Sequence, residues 1–209
     1  MRPFPAVMAQ TPLHVRLGLW RLTRHPTARR IYNRVADAGV VFAQLDRFER
    51  ETALARGIAD PPEDVTVRVS PAGDGVPPGL RDAHLAPGDL LVLAERDGER
   101  VGHCCLADRP VYVPELRRRL VVEGSYLWQL AVVPAERGRG IGTALVARGV
   151  TAAAATLSAD RIAALVAPDN VPSRRAFASL GFRPTARYTS YGVAGRVRHR
   201  RRPLDGMYK

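Results

Sequence analysis

The sequence is short of cysteine, of acid relative to base, and of long apolar runs, and each shortage removes a class of protein. Its two cysteines, Cys104 and Cys105, are neighbours. Adjacent residues cannot reach ordinary disulfide geometry and give no metal-ligand spacing. A disulfide-stapled secreted domain and a zinc module are therefore excluded, no metal is expected, and a reducing, cytoplasmic setting is. The richest apolar stretch, around Thr151 to Leu157, is alanine-dominated and too short to cross a bilayer, and MRPFPAVMAQTP lacks the apolar core of a secretion signal. No membrane partner is expected. Acidic residues number 20 against 32 Lys and Arg, giving a formal net charge of +12 and a pI near 11.0. A basic surface gains counterion-release energy on a phosphate backbone. The excess is mostly arginine, however, which a GC-rich genome also supplies, and no DNA- or RNA-binding motif is visible. Nucleic acid is thus the less favoured partner. With 209 residues, 46% of them hydrophobic, the chain has enough apolar side chains for one cored domain plus an extension.

From about Thr27 to Gly57, Ile31, Val35, Ala38, Phe42, Leu45 and Phe48 recur at steps of three and four, which predicts an amphipathic helix. Its apolar stripe needs a cover: the acceptor cleft, the sheet, or the same helix in a homodimer. Asp60-Pro61-Pro62 ends helical continuation, so residues 1–62 are expected to form a helical extension and 63–209 the main domain. An alternating segment Val65 to Val69 follows, then a Gly/Pro-rich loop. Asp89 to Glu95 and Arg100 to Leu106 make a hairpin about Arg96-Asp97-Gly98-Glu99. A strand over Ser125 to Val133, a helix from Ile141 to about Ser158, a strand over Arg161 to Ala167 and a helix over Pro172 to Leu180 come next. Two strands after Arg187 complete an α/β or α+β arrangement with helices on a mixed, mostly antiparallel sheet.

Between strand and helix lies QLAVVPAERGRGIGTALV, Gln129 to Val146. A helix N-terminus carries unpaired N–H groups and partial positive charge. Glycines let the backbone approach an anion closely, and Arg137 and Arg139 stand to add formal charge. Thr143 can donate its hydroxyl. The turn has no lysine, so it is not a P-loop, and its G-x-G-x-G spacing misses the dinucleotide fingerprint. It also lies past mid-chain, where a Rossmann domain would not begin.

Ala131-Val132-Val133-Pro134 followed by Arg137-Gly138-Arg139-Gly140-Ile141-Gly142, then Asn170-Val171-Pro172-Ser173 and Leu180-Gly181-Phe182, resemble the GCN5-related N-acetyltransferase (GNAT) superfamily. The resemblance runs from roughly Val65 to the C-terminus, where Asp205 to Lys209 looks like a last strand. It implies an acyl-CoA-dependent N-acyltransferase, with acetyl-CoA as donor and an amine acceptor attacking directly. The implied donor contacts are Leu130, Ala131 and Val132 for the pantetheine arm, Arg137, Gly138, Arg139, Gly140, Ile141, Gly142 and Thr143 for the diphosphate, and Asn170, Ser173 and Phe177 on the second motif. A backbone N–H near Val132 would polarise the thioester carbonyl. Many relatives carry an acidic Tyr where this sequence has Phe177, so the leaving thiolate's proton needs another source. Tyr126 and Glu123 are the expected acid-base candidates, with His103 behind them; Tyr188 and Tyr191 are candidates to line the acceptor side. Cys104 and Cys105 read as core thiols. The arginine run from Arg196 reads as a solvated strand. The rival reading is a non-catalytic acyl-CoA sensor with a basic surface for nucleic acid or a protein.

Overall fold

The computed structural model describes residues 41–53, 59–72, 85–193 and 196–204. Among these residues, ten strands and two α-helices follow in chain order: β1 (Val41–Glu51), β2 (Thr66–Pro71), β3 (Leu90–Arg96), β4 (Glu99–Ala107), β5 (Val111–Val113), β6 (Arg118–Leu120), β7 (Ser125–Val132), α1 (Ile141–Ala155), β8 (Arg161–Val166), α2 (Val171–Ser179), β9 (Arg183–Val193) and β10 (Arg196–Pro203). Eight strands form one sheet in the order β10-β9-β1-β8-β7-β4-β3-β2, and β5 with β6 makes a small hairpin. The expected β3–β4 hairpin is present, with Asp97 and Gly98 both at positive φ (52° and 79°), the pattern a two-residue turn needs to match strand twist. Among the described residues no helix is long and apolar enough to cross a membrane.

The expectation of a helix across residues 27–57 fails where it can be tested. Val41–Glu51 is a strand inside the sheet, antiparallel to β9 along Val41–Glu49 and to β8 along Asp46–Glu51; residues 27–40 and 54–57 lie outside the described ones. The spacing of Phe42, Leu45 and Phe48 suits a helix stripe, but the same stretch reads equally well with period two once both faces are covered. Phe48 enters the main core and Ala43 the cluster on the opposite face. Leu45 is half-buried against that second cluster, so Leu45 and Phe48 are used within the fold, while Phe42 stays exposed. Residue 62 does not separate an extension from the domain, since β1 is an interior strand of its sheet. The last residues, 205–209, lie outside the described ones.

One face of the sheet is covered by α1 and α2. Leu106, Leu127, Ile141, Leu145, Ile162, Phe177 and Phe182 pack there into the main core. Small residues bring α1 close: a Cβ on Gly149 would stand 3.1 Å from Leu127 Cδ1, and one on Gly102 would stand 3.0 Å from Leu145 Cδ1. On the other face the β5–β6 hairpin, through Val111, Val113, Leu116 and Leu120, covers Ala43, Tyr126, Ala186 and Tyr188.

Candidate active site

Strand β7 makes the site. Its parallel pairing with β8 ends at Leu127 opposite Ala164. Just beyond, its ladder to β4 shifts register: Trp128 stands opposite Cys105 and Ala131 opposite His103, so Gln129 and Leu130 together face Cys104. This is a β-bulge, which bends the strand carrying the extra residue. Gln129 takes the left-handed conformation at φ 53°. From Gln129 to Val132 the edge of β7 facing β8 has no ladder partner among the described residues. A free strand edge offers alternating N–H and C=O groups to an amide-bearing chain. Ala131 is exposed there, with Leu130 and Val132 half-buried on either side.

After β7 a 3₁₀ turn, Pro134–Glu136, leads into the glycine loop. Gly138 and Gly140 both sit at φ 86°, where a side chain is strained. Apart from the glycine and its two chain neighbours, no atom of the described residues lies within 4 Å of where a Cβ would stand at either. The amides of Gly138, Arg139, Gly140, Ile141 and Gly142 donate to no protein acceptor among the described residues, whereas those of Thr143 and Ala144 turn back to the Gly140 carbonyl at 3.0 Å. Gly140 is the N-cap of α1 and supplies no side-chain cap. The first turn of a 15-residue helix therefore has amides without a partner among the described residues, with the helix dipole behind them.

The two arginines behave otherwise than their spacing suggests. Arg139 donates to Asp64 at 2.7 and 2.8 Å and to Glu136 at 2.5 Å, and Arg96 also reaches Glu136 at 2.6 Å. The hydrogen bonds it donates to Asp64 and then to Glu136 raise the Arg139 pKa. Its charge is matched by these carboxylates, so it braces the loop from outside. Arg137 donates from Nε to the Val132 carbonyl at 3.0 Å, tying the loop to the end of β7. Main-chain amides are left as the principal anion-attracting groups.

Because β7 and β8 are parallel, their carboxyl ends open on the same side, and α2 begins there. Asn170 is its N-cap, accepting from the Ser173 amide at 3.4 Å. Thr143, Asn170 and Ser173 are all half-buried around this opening. Phe177 is not part of it. Its ring is 2% exposed, edge-on to Phe182 at 5.0 Å and tilted against Phe48 at 6.3 Å. With its side chain enclosed in the core, it has no surface to present to a bound molecule.

The acid-base candidates are scattered. Tyr126 is buried among the second cluster and stacks on Trp128 at 5.9 Å; burial first, then the Glu115 charge, pushes its pKa well above the usual phenol range. Glu123 is exposed and borders a concavity with Asp108, Ser158 and Asp160. It precedes β7, whereas the glycine loop follows it, and eight residues of strand put about 26 Å between those ends. His103 lies beside the bulge, opposite Ala131, with its pKa pushed down to about 4 by burial and then Arg100; it is neutral at pH 7. Tyr188 is buried under the hairpin, while Tyr191, three residues on and hence on the other face, is exposed. Both thiols are buried and free. Burial raises the Cys104 pKa and, with Asp89, pushes Cys105 up to about 12, so both behave as core thiols.

The family model for the acetyltransferase (GNAT) family matches residues 60–182, a span that includes the open edge, the glycine loop and both helices. The chain belongs to the GNAT family. An L-2,4-diaminobutyric acid acetyltransferase of Nocardia farcinica is 36% identical over 111 residues, which cover 49% of this chain and 48% of that protein. The chain thus matches about half the length of that relative. Among solved structures, a GCN5-related N-acetyltransferase from Kribbella flavida superposes with TM-score 0.54 at 16% identity, over 80% of this chain and 66% of that one. A tandem GNAT protein from the clavulanic acid biosynthesis pathway gives 0.53 at 14%, covering 82% and 60%. At such identities these two establish the fold. The family match begins after β1, so this GNAT chain draws an interior strand of its sheet from residues before the matched span. Gln129, Asp64 and Glu136 were not marked by the sequence. A non-glycine residue carries no sign of a positive φ, and Asp64 lies 75 positions from its partner Arg139.

Proposed function

We propose that this chain is an acyl-CoA-dependent N-acyltransferase that moves an acetyl group from acetyl-CoA to a primary amine by direct attack. One observation carries the reading: the unpaired amides of Gly138 to Gly142 stand beside the free edge of β7. A diphosphate suits the first, through oriented N–H groups at the front of a helix. The amide-bearing pantetheine arm suits the second. The thioester would then lie near the bulge, where a backbone N–H of β7 around Val132 can donate to the carbonyl oxygen as negative charge develops. Asn170 and Ser173 flank the arm on the α2 side. The amine must lose a proton; His103, neutral but a weak base at a pKa of about 4, would at most orient the water that takes it. Phe177 gives α2 no acid, and the thiolate departs unaided or is protonated by solvent, as a thiol pKa near 8.5 permits.

The test is thiol release from acetyl-CoA across a panel of amines, headed by L-2,4-diaminobutyrate because of the Nocardia farcinica relative and extended to lysine peptides, protein N-termini, polyamines and aminoglycosides. Turnover with one class supports the reading and names the acceptor. Tight acetyl-CoA binding with no turnover on any of them would instead make the protein an acyl-CoA sensor, the reading that Phe177 favours.

A further inference from the structure

Among the described residues, one edge of the sheet is densely basic. Strands β9 and β10 carry seven arginines and no carboxylate. The register sorts their side chains. Phe42, Tyr191 and Arg198 form one cross-strand row, Gln44, Thr189 and Arg200 the next, and Asp46, Arg187 and Arg202 a third, all on one face. Arg196 continues this face at the β10 end, opposite Val193. In the third row Asp46 is fully buried and already bonded to Arg174 at 2.6 Å and to Arg187 at 2.6 and 3.0 Å. It offers nothing to neutralise the outer arginines. In the first row Phe42 is 61% exposed, Tyr191 44% and Val193 60%, although large apolar side chains are usually turned inward. A concavity of about 570 Å³ lies among Tyr191, Gly192, Arg196, Val197 and Arg198.

We propose that this face of β1, β9 and β10 binds single-stranded nucleic acid, with phosphates along Arg196, Arg198, Arg200 and Arg202 and bases stacked on Phe42 and Tyr191. Alternate residues of a strand are about 6.6 Å apart, so these arginines present a regular row of cations to a regular row of anions. Exposed aromatic rings set among arginines add what a phosphate chain alone does not require, a π-surface for unpaired bases. An acidic peptide would use the charges and leave the rings idle. A duplex hides its base faces, and the pleated surface has no helix or ribbon to enter a groove. The arginine row also opposes pairing of β10 with a second copy of itself. The surface is separate from the donor site: β10 and β7 are four sheet positions apart, about 19 Å at the usual strand spacing.

The experiment is anisotropy of a fluorescein-labelled U12 RNA and the matching dT12, titrated with the full chain between 50 and 200 mM salt. Four phosphate contacts predict a slope of log K against log salt of about −2.8. Arg198→Glu with Arg200→Glu should weaken binding at least tenfold and flatten the slope by about 1.4, with acetyl-CoA affinity unchanged. Phe42→Ala with Tyr191→Ala should weaken it about tenfold while leaving the slope alone. Arg118→Glu with Arg119→Glu, exposed on β6 and away from this face, makes the same charge change and should cost much less. The proposal is overturned by absence of binding, by equal binding of poly-glutamate, phosphatidylserine vesicles or duplex DNA, or by equal loss in the β6 variant.

Discussion

Gly140 stands in the left-handed region with open space where a Cβ would lie, so a side chain there would meet backbone strain rather than a clash. Gly140→Glu adds a carboxylate at the mouth of the amide cradle, where an anionic diphosphate is expected. Strain of about 1 kcal/mol is affordable to the fold, but repulsion at the binding surface is not affordable to the ligand. Calorimetry should find acetyl-CoA affinity reduced by at least a hundredfold with the unfolding midpoint little changed; unaltered affinity would remove the diphosphate from this loop. His103 supplies a residue-scale prediction of another kind. Its folded pKa of about 4 lies below its ordinary 6.5, so between those values the unfolded chain binds the extra proton and stability must fall as pH falls. From pH 7 to 4.5 this one group should contribute a loss of about 2 kcal/mol, reduced in so far as the ring remains partly solvated. Urea unfolding at the two pH values should show that His103→Gln loses less stability than the parent on acidification; an identical loss would exclude the imidazole as its source.

Strand β1 shows how an element can be invisible to pattern and central to the fold. Its ladders to β8 and β9 join the two halves of the sheet, and Phe48 plugs the core under α2 against Phe177. A chain beginning at residue 60, where the family match starts, should therefore fail to fold, leaving β8 and β9 with unpaired edges. A synthetic peptide spanning residues 41–51 should recover folded, acetyl-CoA-binding protein from it; a soluble, cooperatively folding chain without that peptide would show β1 to be an accessory. The remaining elements were legible to the degree that their signals were local. The β3–β4 turn declared itself through Asp97-Gly98, α1 through the glycines before Ile141, and α2 through Asn170 and Pro172. The amide cradle is likewise local, being a run of glycines at a strand-to-helix join. What stayed hidden depends on distant partners. Leu45 and Phe48 read as one helix stripe until strands from the far end of the chain divide them between two faces. The peeling of β7 from β8 arises at Gln129 from a register mismatch with β4, and Arg139 is turned aside by Asp64 and Glu136.

At the scale of the molecule, the two proposed anion-binding surfaces lie on one sheet and are made by different means. Near β7 the attraction comes from oriented main-chain dipoles, with the neighbouring arginines either ion-paired or tied to backbone. At β10 it comes from formal charges, with no carboxylate on β9 or β10 themselves. The first should bind a specific anion in a shaped cradle and depend weakly on salt; the second should bind any single strand and depend on salt steeply. Because each ligand binds only the folded chain, each should stabilise it by mass action, by about 2.7 kcal/mol at one hundred times its dissociation constant. For a chain of this size that is a rise of roughly 5–10 °C in melting temperature. Since the surfaces share no residues, the two rises should add when both ligands are present. Gly140→Glu should abolish the rise caused by coenzyme A while keeping that caused by U12 RNA, and Arg198→Glu with Arg200→Glu should do the reverse. Thermal scans of the parent and both variants with each ligand and with the pair decide the matter. If one variant lost both responses, or if the ligands together gave no more than either alone, the two surfaces would be a single site.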